Sequence, residues 1–270
     1  MVTLPDNEHM TVPSDSDRAT ALPYSKRTTL SVSVNHAEAL RYLGHNGQDL
    51  TPDLQKRLTS NAEACQTAAK PAACWATFAI DTEASRWLGA NEKHPVVVLQ
   101  PGPLGQKPPD LEGASINQHL RGATHVVLMA VTLGLRSEAG LVQLNASSPT
   151  DALLYSASGS SLVEEAADAA EALIREQAAQ AGLYGNWRFS PGYGDLPLSA
   201  QPTFLACLDA TRSLGITATD TNLLIPTKSV TAVLGLFDHE PPDNPPNPCD
   251  DCLIRHNCPF KKKGITCHGQ

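Results

Sequence analysis

Arg188-Phe-Ser-Pro-Gly-Tyr-Gly-Asp-Leu-Pro-Leu-Ser-Ala-Gln201 sets one arginine, two prolines, two glycines and a tyrosine in a run with neither helical nor strand periodicity. Helical patterns lie on both sides of it, so it reads as a loop held between helices. Such a loop presents backbone amides, the Arg188 guanidinium and the Tyr193 phenol to a small anionic ligand. Within it stands Arg-x-x-x-Gly-Tyr, at Arg188, Gly192 and Tyr193. Further along comes Leu224-Ile-Pro-Thr-Lys-Ser-Val-Thr-Ala-Val-Leu-Gly235, a turn entering an alternating strand.

Working outward, Ser161-Leu-Val-Glu164 has the form of a capping box. Val163, Ala166, Ala170, Leu173, Ile174 and Ala178 then recur at helical spacing until Gly182, which predicts a helix opening at Ser161. A second helix is predicted over about 199–214, with Leu205, Leu208 and Leu214 inward and Gly215 as its C-cap. His125 to Leu133 is nearly all apolar and reads as a central strand buried on both faces, ended by Gly134. Cys74, Ala76, Phe78 and Ile80 alternate as a strand, as do Val230, Ala232 and Leu234, and Leu30, Val32 and Val34. Val96 to Leu99 forms another strand. Asn35 caps a short helix closed by Gly44, and Thr51-Pro52 opens a helix carrying Leu54, Leu58, Ala62 and Cys65. Ile116 to Leu120 is a short helix. Helices and strands interleave without regular βαβ repeats. The fold class is therefore α+β: a twisted, mostly antiparallel sheet with packed helices.

Composition divides the chain further. Residues 1–27 are polar and aperiodic, a disordered leader. Residues 28–238 form the globular domain, 239–248 a stiff Pro-rich linker, and 249–270 a Cys-rich tail. The net charge of −8 excludes a general nucleic-acid or anionic-membrane binder. The sequence has no apolar run long enough to span a bilayer and no apolar segment near the N-terminus, so a cytoplasmic location is expected. Of seven cysteines, Cys65, Cys74 and Cys207 sit in apolar patterns as buried thiols. The others, Cys249, Cys252, Cys258 and Cys267, are spaced to hold a structural zinc or an iron–sulfur cluster, with His256 and His268 as spare ligands. A redox pair of Cys249 with Cys252, or a tail of free thiols, are the alternatives. His94, His119 and His125 show no metal-ligand spacing. Ser158-Gly-Ser-Ser161 reads as a turn and helix cap rather than a nucleophile.

The Arg188 loop and Pro226-Thr-Lys-Ser-Val230, in that order, resemble the activation (S-adenosylmethionine-binding) domain of vitamin B12-dependent methionine synthase in a stand-alone form. Glu38-Ala-Leu-Arg-Tyr-Leu-Gly44, Thr132 to Gly134 and Asp151 to Glu165 extend the likeness over residues 28–238. The resemblance implies ligand contacts from Arg188, Pro191, Gly192 and Tyr193, with Arg188 on the methionine carboxylate. It also implies an acidic contact from the preceding helix. Glu164 or Glu165 fits, although Glu164 would otherwise only close the capping box. Lys228 and Ser229 are placed near the corrinoid or its carrier, unless Lys228 merely belongs to a turn. The implied role is reductive methylation of the cob(II)alamin form of a separate methionine synthase, the partner that carries cobalamin. A flavodoxin- or ferredoxin-like donor would supply the electron. Catalysis would be by positioning, with no acid or base on this chain, an accessory subunit rather than a self-sufficient enzyme. Two other readings stand: a non-catalytic corrinoid-protein adaptor, and an electron-transfer protein using a metal or cluster in the tail.

Overall fold

The apolar run from His125 to Thr132 forms the middle strand, β5, of the protein, seen here in a computed structural model that describes residues 22–241 except 46, 90–91 and 103–104. It belongs to a curled antiparallel sheet. The other strands are β1 (Tyr24–Thr29), β2 (Ala72–Arg86), β3 (Val96–Leu99), β4 (Leu111–Glu112), β6 (Tyr184–Gly185) and β9 (Ser229–Phe237). Their order is β4-β3-β2-β5-β9-β6, with β1 paired to the first half of β2. A separate ribbon joins β7 (Thr217–Ala218) to β8 (Leu224–Ile225). The helices are α1 (His36–Tyr42), α2 (Pro52–Ala68), α3 (Ala114–His119), α4 (Leu135–Ser147), α5 (Pro149–Gln180), α6 (Gln201–Cys207) and α7 (Ala210–Leu214).

Strand alternation sends side chains to two cores. Val126, Leu128 and Ala130 join Leu111, Ile116, Leu120, Phe204, Leu208 and Ile216 beneath α3, α6 and α7. Val127, Met129 and Val131 meet Cys65, Leu162, Ala166, Ala170 and Ile174 of α2 and α5. Burying each large side chain contributes about 1.5–3 kcal/mol, so a strand buried on both faces anchors both layers. The fold is thus α+β with helices on a mostly antiparallel sheet, as the patterning predicts. Burial also pushes the Cys65 and Cys207 thiols up to about 11 and that of Cys74 to about 12. All three are free, buried cysteines.

Several local expectations are corrected. The helix predicted from Ser161 starts at Pro149. Ser148 caps it by accepting from the Asp151 amide, with proline in the first turn. Ser161 is interior and buried. Its hydroxyl donates to the Asn35 carbonyl and accepts from the Asn35 amide, fastening α1 to α5. The predicted helix over 199–214 is broken at Asp209, which adopts a left-handed φ of 51°. Aspartate tolerates that conformation, and its side chain is held by Arg212. Residues 24–27, assigned to the leader, lie in β1. The strand predicted over Leu30 to Val34 ends at Thr29. Beyond it the chain stays extended against the Gln66 amide, which accepts from Val34 N and donates to Val32 O. The sequence gives no sign of α4, because its Leu135 and Val142 point outward, 60% and 62% exposed.

Residues 1–21, most of the Pro-rich linker and the four tail cysteines fall outside the described residues. Among the described residues no helix is long and apolar enough to cross a membrane.

Candidate functional site

Helix α5 has 32 residues and is about 48 Å long. Ser156, Ser160, Glu164 and Asp168 follow one another at intervals of four along it, and Glu171 comes one turn later. Side chains so spaced form a continuous stripe. Two cations carried by the opposite chain segments meet this stripe.

Arg188 meets its acidic half. Its guanidinium lies 2.7 Å from Asp168, 3.4 Å from Glu164 and 3.4 Å from Glu171. The Arg188 side chain is only 18% exposed. Its neighbours set its direction. Phe189 exchanges backbone hydrogen bonds of 2.9 and 2.8 Å with Val233 of β9. Trp187 and Phe189 pack on the His119 ring at 5.0 and 5.1 Å. Residues alternate in extended chain, so Arg188 is turned away from that aromatic group and onto α5. Glu171 is shared with Arg175 at 2.7 Å. Three carboxylates thus face two guanidinium groups, leaving net negative charge. Loss of water around the Glu164 carboxyl raises its pKa, the Arg188 charge opposes this, and Asp168 adds to it.

Helix α1 borders the same stripe. Glu38 holds Arg41 at 2.7 Å, and Arg41 lies 4.7 Å over the Tyr42 ring. Burial, then the Glu164 charge, raises the Tyr42 pKa. The Asn35 amide donates to Glu165 at 3.3 Å. Of the two glutamates the sequence leaves open, Glu164 therefore faces Arg188, whereas Glu165 serves the α1 cap. Glu164 closes no capping box, because it lies inside α5.

The loop after Arg188 is pinned rather than free. Pro191 is buried, and the Gly192 amide donates to the Leu196 carbonyl at 2.8 Å. Gly192 has φ 96°, and a Cβ there would meet Leu198 at 3.1 Å. Tyr193 is 50% exposed, edge-on to Phe189 at 6.4 Å. Asp195 accepts from the Ala114 and Ser115 amides at 2.5 and 2.9 Å, capping α3 from outside it.

Lys228, at the mouth of β9, meets the other half of the stripe. Its ammonium donates to Ser160 at 2.8 Å and Ser156 at 3.2 Å. Its stem crosses Gly159, where a Cβ would sit 3.3 Å from the lysine Cε. Burial lowers the Lys228 pKa. Ser229 is engaged elsewhere, 2.8 Å from the Thr132 hydroxyl across the sheet. The structure therefore gathers Arg188, Glu164 and Lys228 along one face of α5, with Pro191, Gly192 and Tyr193 in the adjoining loop. Asp168 and Glu171 were missed although their i+4 and i+7 spacing from Glu164 is written in the sequence. Ser156 and Ser160 were missed because the helix was read as opening after them.

The site thus lies where a charged stripe of one long helix meets the Arg188 and Lys228 segments, on a curled antiparallel sheet layered by helices. No protein-family model and no curated protein matches the sequence. A solved structure described as the MetH reactivation domain bound to AdoHcy is similar at 15% identity. The match covers 91% of this chain and 87% of that one with a TM-score of 0.52, a likeness of fold.

Proposed function

We propose that this chain is a stand-alone activation module that binds S-adenosylmethionine along the α5 stripe and supports reductive methylation of a separate cobalamin-carrying methionine synthase. The observation that carries the reading is the charge pattern of the stripe on a reactivation-domain fold. Glu164, Asp168 and Glu171 outnumber their guanidinium partners, and the adjoining Gly192–Tyr193 turn offers an exposed phenol. S-adenosylmethionine carries an ammonium and a sulfonium against one carboxylate, so an acid-rich surface suits it. Tyr193 offers a face for the adenine. The chain's share of the work is to hold the sulfonium methyl in position. The corrinoid and an electron donor, flavodoxin- or ferredoxin-like, supply the chemistry. The tail thiols Cys249, Cys252, Cys258 and Cys267 are proposed as ligands of a zinc ion or an iron–sulfur cluster.

One observation favours the adaptor reading: Arg188 is already matched by three carboxylates, so a ligand carboxylate would have to displace one of them. Calorimetric titration of S-adenosylmethionine into the anaerobically purified full chain separates the two readings. Saturable binding, weakened in Arg188→Ala because the stripe loses its organising cation, is the expected result. Absence of binding by folded wild type eliminates the activation reading and leaves the adaptor.

A further inference from the structure

We propose that the outward face of α4 is a dimer seam, through which two copies of this chain join helix against helix, antiparallel about a two-fold axis. The proposal is independent of the S-adenosylmethionine reading.

Helix α4 is lined on two opposite sides. Its inner side carries Ser137, which is buried, and Leu141 and Leu144, which pack on the core shared by α2 and α5. Its outer side carries Leu135, Ala139, Val142 and Ala146, all exposed, with Leu135 at 60% and Val142 at 62%. At 3.6 residues per turn these four fall within about 60° of one another around the helix axis. Single exposed leucines are ordinary. An aligned apolar row over three turns marks an interaction face. A helix with apolar residues on both sides is suited to lie between two bodies, and among the described residues its own fold supplies one of them.

The pattern itself selects a second copy. The intervals along the row are four, three and four, so it reads the same from either end. Laid antiparallel about a point between Gly140 and Leu141, the row meets itself. Leu135 then faces Ala146 of the second copy, and Val142 faces its Ala139. Every contact sets a large side chain against a small one, as interdigitating helices require. The flanks agree. In an antiparallel pair each flank meets the same flank of the other helix, which puts Arg136 beside the second copy's Gln143 and Glu138 beside its Asn145. One Glu138 oxygen accepts from Thr227, and the other is left for an amide. No like charges meet. Arg136 and Glu138 are the charged residues of α4 and cancel, on a chain with a net charge of −8. A neutral seam on an acidic chain is where a second copy meets least repulsion.

A two-fold pair of this kind is closed, so association stops at two. Helix α4 is about 20 Å long. A seam of that length falls short of the standard interface of about 800 Å² per partner, so the dimer is expected to dissociate in the micromolar to millimolar range.

Sedimentation equilibrium of the full chain, reduced, from about 1 μM to about 1 mM tests this. Wild type should pass from one chain to two and no further. Val142→Lys and Ala139→Glu are both exposed changes to good helix formers, so their melting curves should match wild type. Each alone should weaken association by at least about tenfold. An equal mixture of the two variants should recover a heterodimer, because the new lysine of one copy faces the new glutamate of the other. Three results would each overturn the proposal. Wild type that stays monomeric throughout leaves the seam to an unlike partner. A dimer unchanged in both variants lies on another face. Loss in both variants without recovery in the mixture rules out the antiparallel register.

Discussion

Gly159 stands in the middle of a helix, where alanine is ordinarily favoured by about 1 kcal/mol. A Cβ there would meet Lys228 Cε at 3.3 Å, Cγ at 3.4 Å and the Cys65 sulfur at 3.6 Å. Gly159→Ala should therefore leave thermal stability nearly unchanged, the helix gain offsetting the crowding, while weakening S-adenosylmethionine binding. A melting curve beside a binding titration checks both halves. Gly113 is different, with φ 133° and room for a Cβ only 2.4 Å from Asp195 Oδ1. Gly113→Ala should cost about 1–3 kcal/mol through backbone strain and the broken α3 cap, seen in urea denaturation. His119 carries the pH dependence. Burial drives its pKa down to about 4, and its Nε2 is buried without a hydrogen-bond partner among the described residues. Below the unfolded value of about 6.5 the unfolded chain takes up a proton that the folded one refuses. Stability should then fall as pH drops from 6.5 towards 4, at up to about 1.4 kcal/mol per pH unit, and His119→Phe should flatten that slope. Asp151, lowered to about 2 first by its Arg57 hydrogen bond and next by Ser148, acts later. Its contribution is present above about pH 3.8 and is lost as pH falls towards 2.

At the scale of elements, α5 joins what the sequence shows with what it hides. The alanine and leucine spacing after Ser161 is plain. So is Ser148-Pro-Thr-Asp151, a serine cap with proline and aspartate in the first turn, but the capping-box pattern at Ser161 competes with it. Tertiary contact decides: the Ser161 hydroxyl is consumed by both backbone groups of Asn35, 126 positions away. No local pattern encodes that. Ser161→Val should cost about 1–3 kcal/mol by removing the two hydrogen bonds that the buried Ser161 hydroxyl makes to the Asn35 backbone, and should loosen α1 selectively, detectable as faster exchange of the α1 amides. The Arg188 loop was legible because proline and glycine leave few conformations. Its anchorage through Asp195 on α3 was not, since the partners lie 81 and 80 residues apart in sequence. The same limit hid Ser156 and Ser160: they acquire meaning only when β9 brings Lys228 over them.

Taken whole, the molecule hangs on β5, which pairs with β2 along one edge and β9 along the other and is buried on both faces. Such a strand opens only when the domain does. The amides of Val126 to Val131 should exchange at the rate of global unfolding, whereas those of the 3-10 turn Leu198–Ala200, at the surface, should exchange by local fraying. Native-state exchange in low denaturant would separate the two classes.

The face of α5 that meets the sheet is lined by Ala166, Ala167, Ala170 and Ala178, all fully buried. Methyl groups there let the helix axis approach the strands closely, and interiors this dense do not yield without movement. The gap between the polar stripe and Lys228 is therefore ruled by atoms that never touch solvent. A larger residue at Ala166 or Ala170 would act as a spacer, lifting Ser160 and Glu164 together off their cations and widening the cleft without altering a single group that lines it.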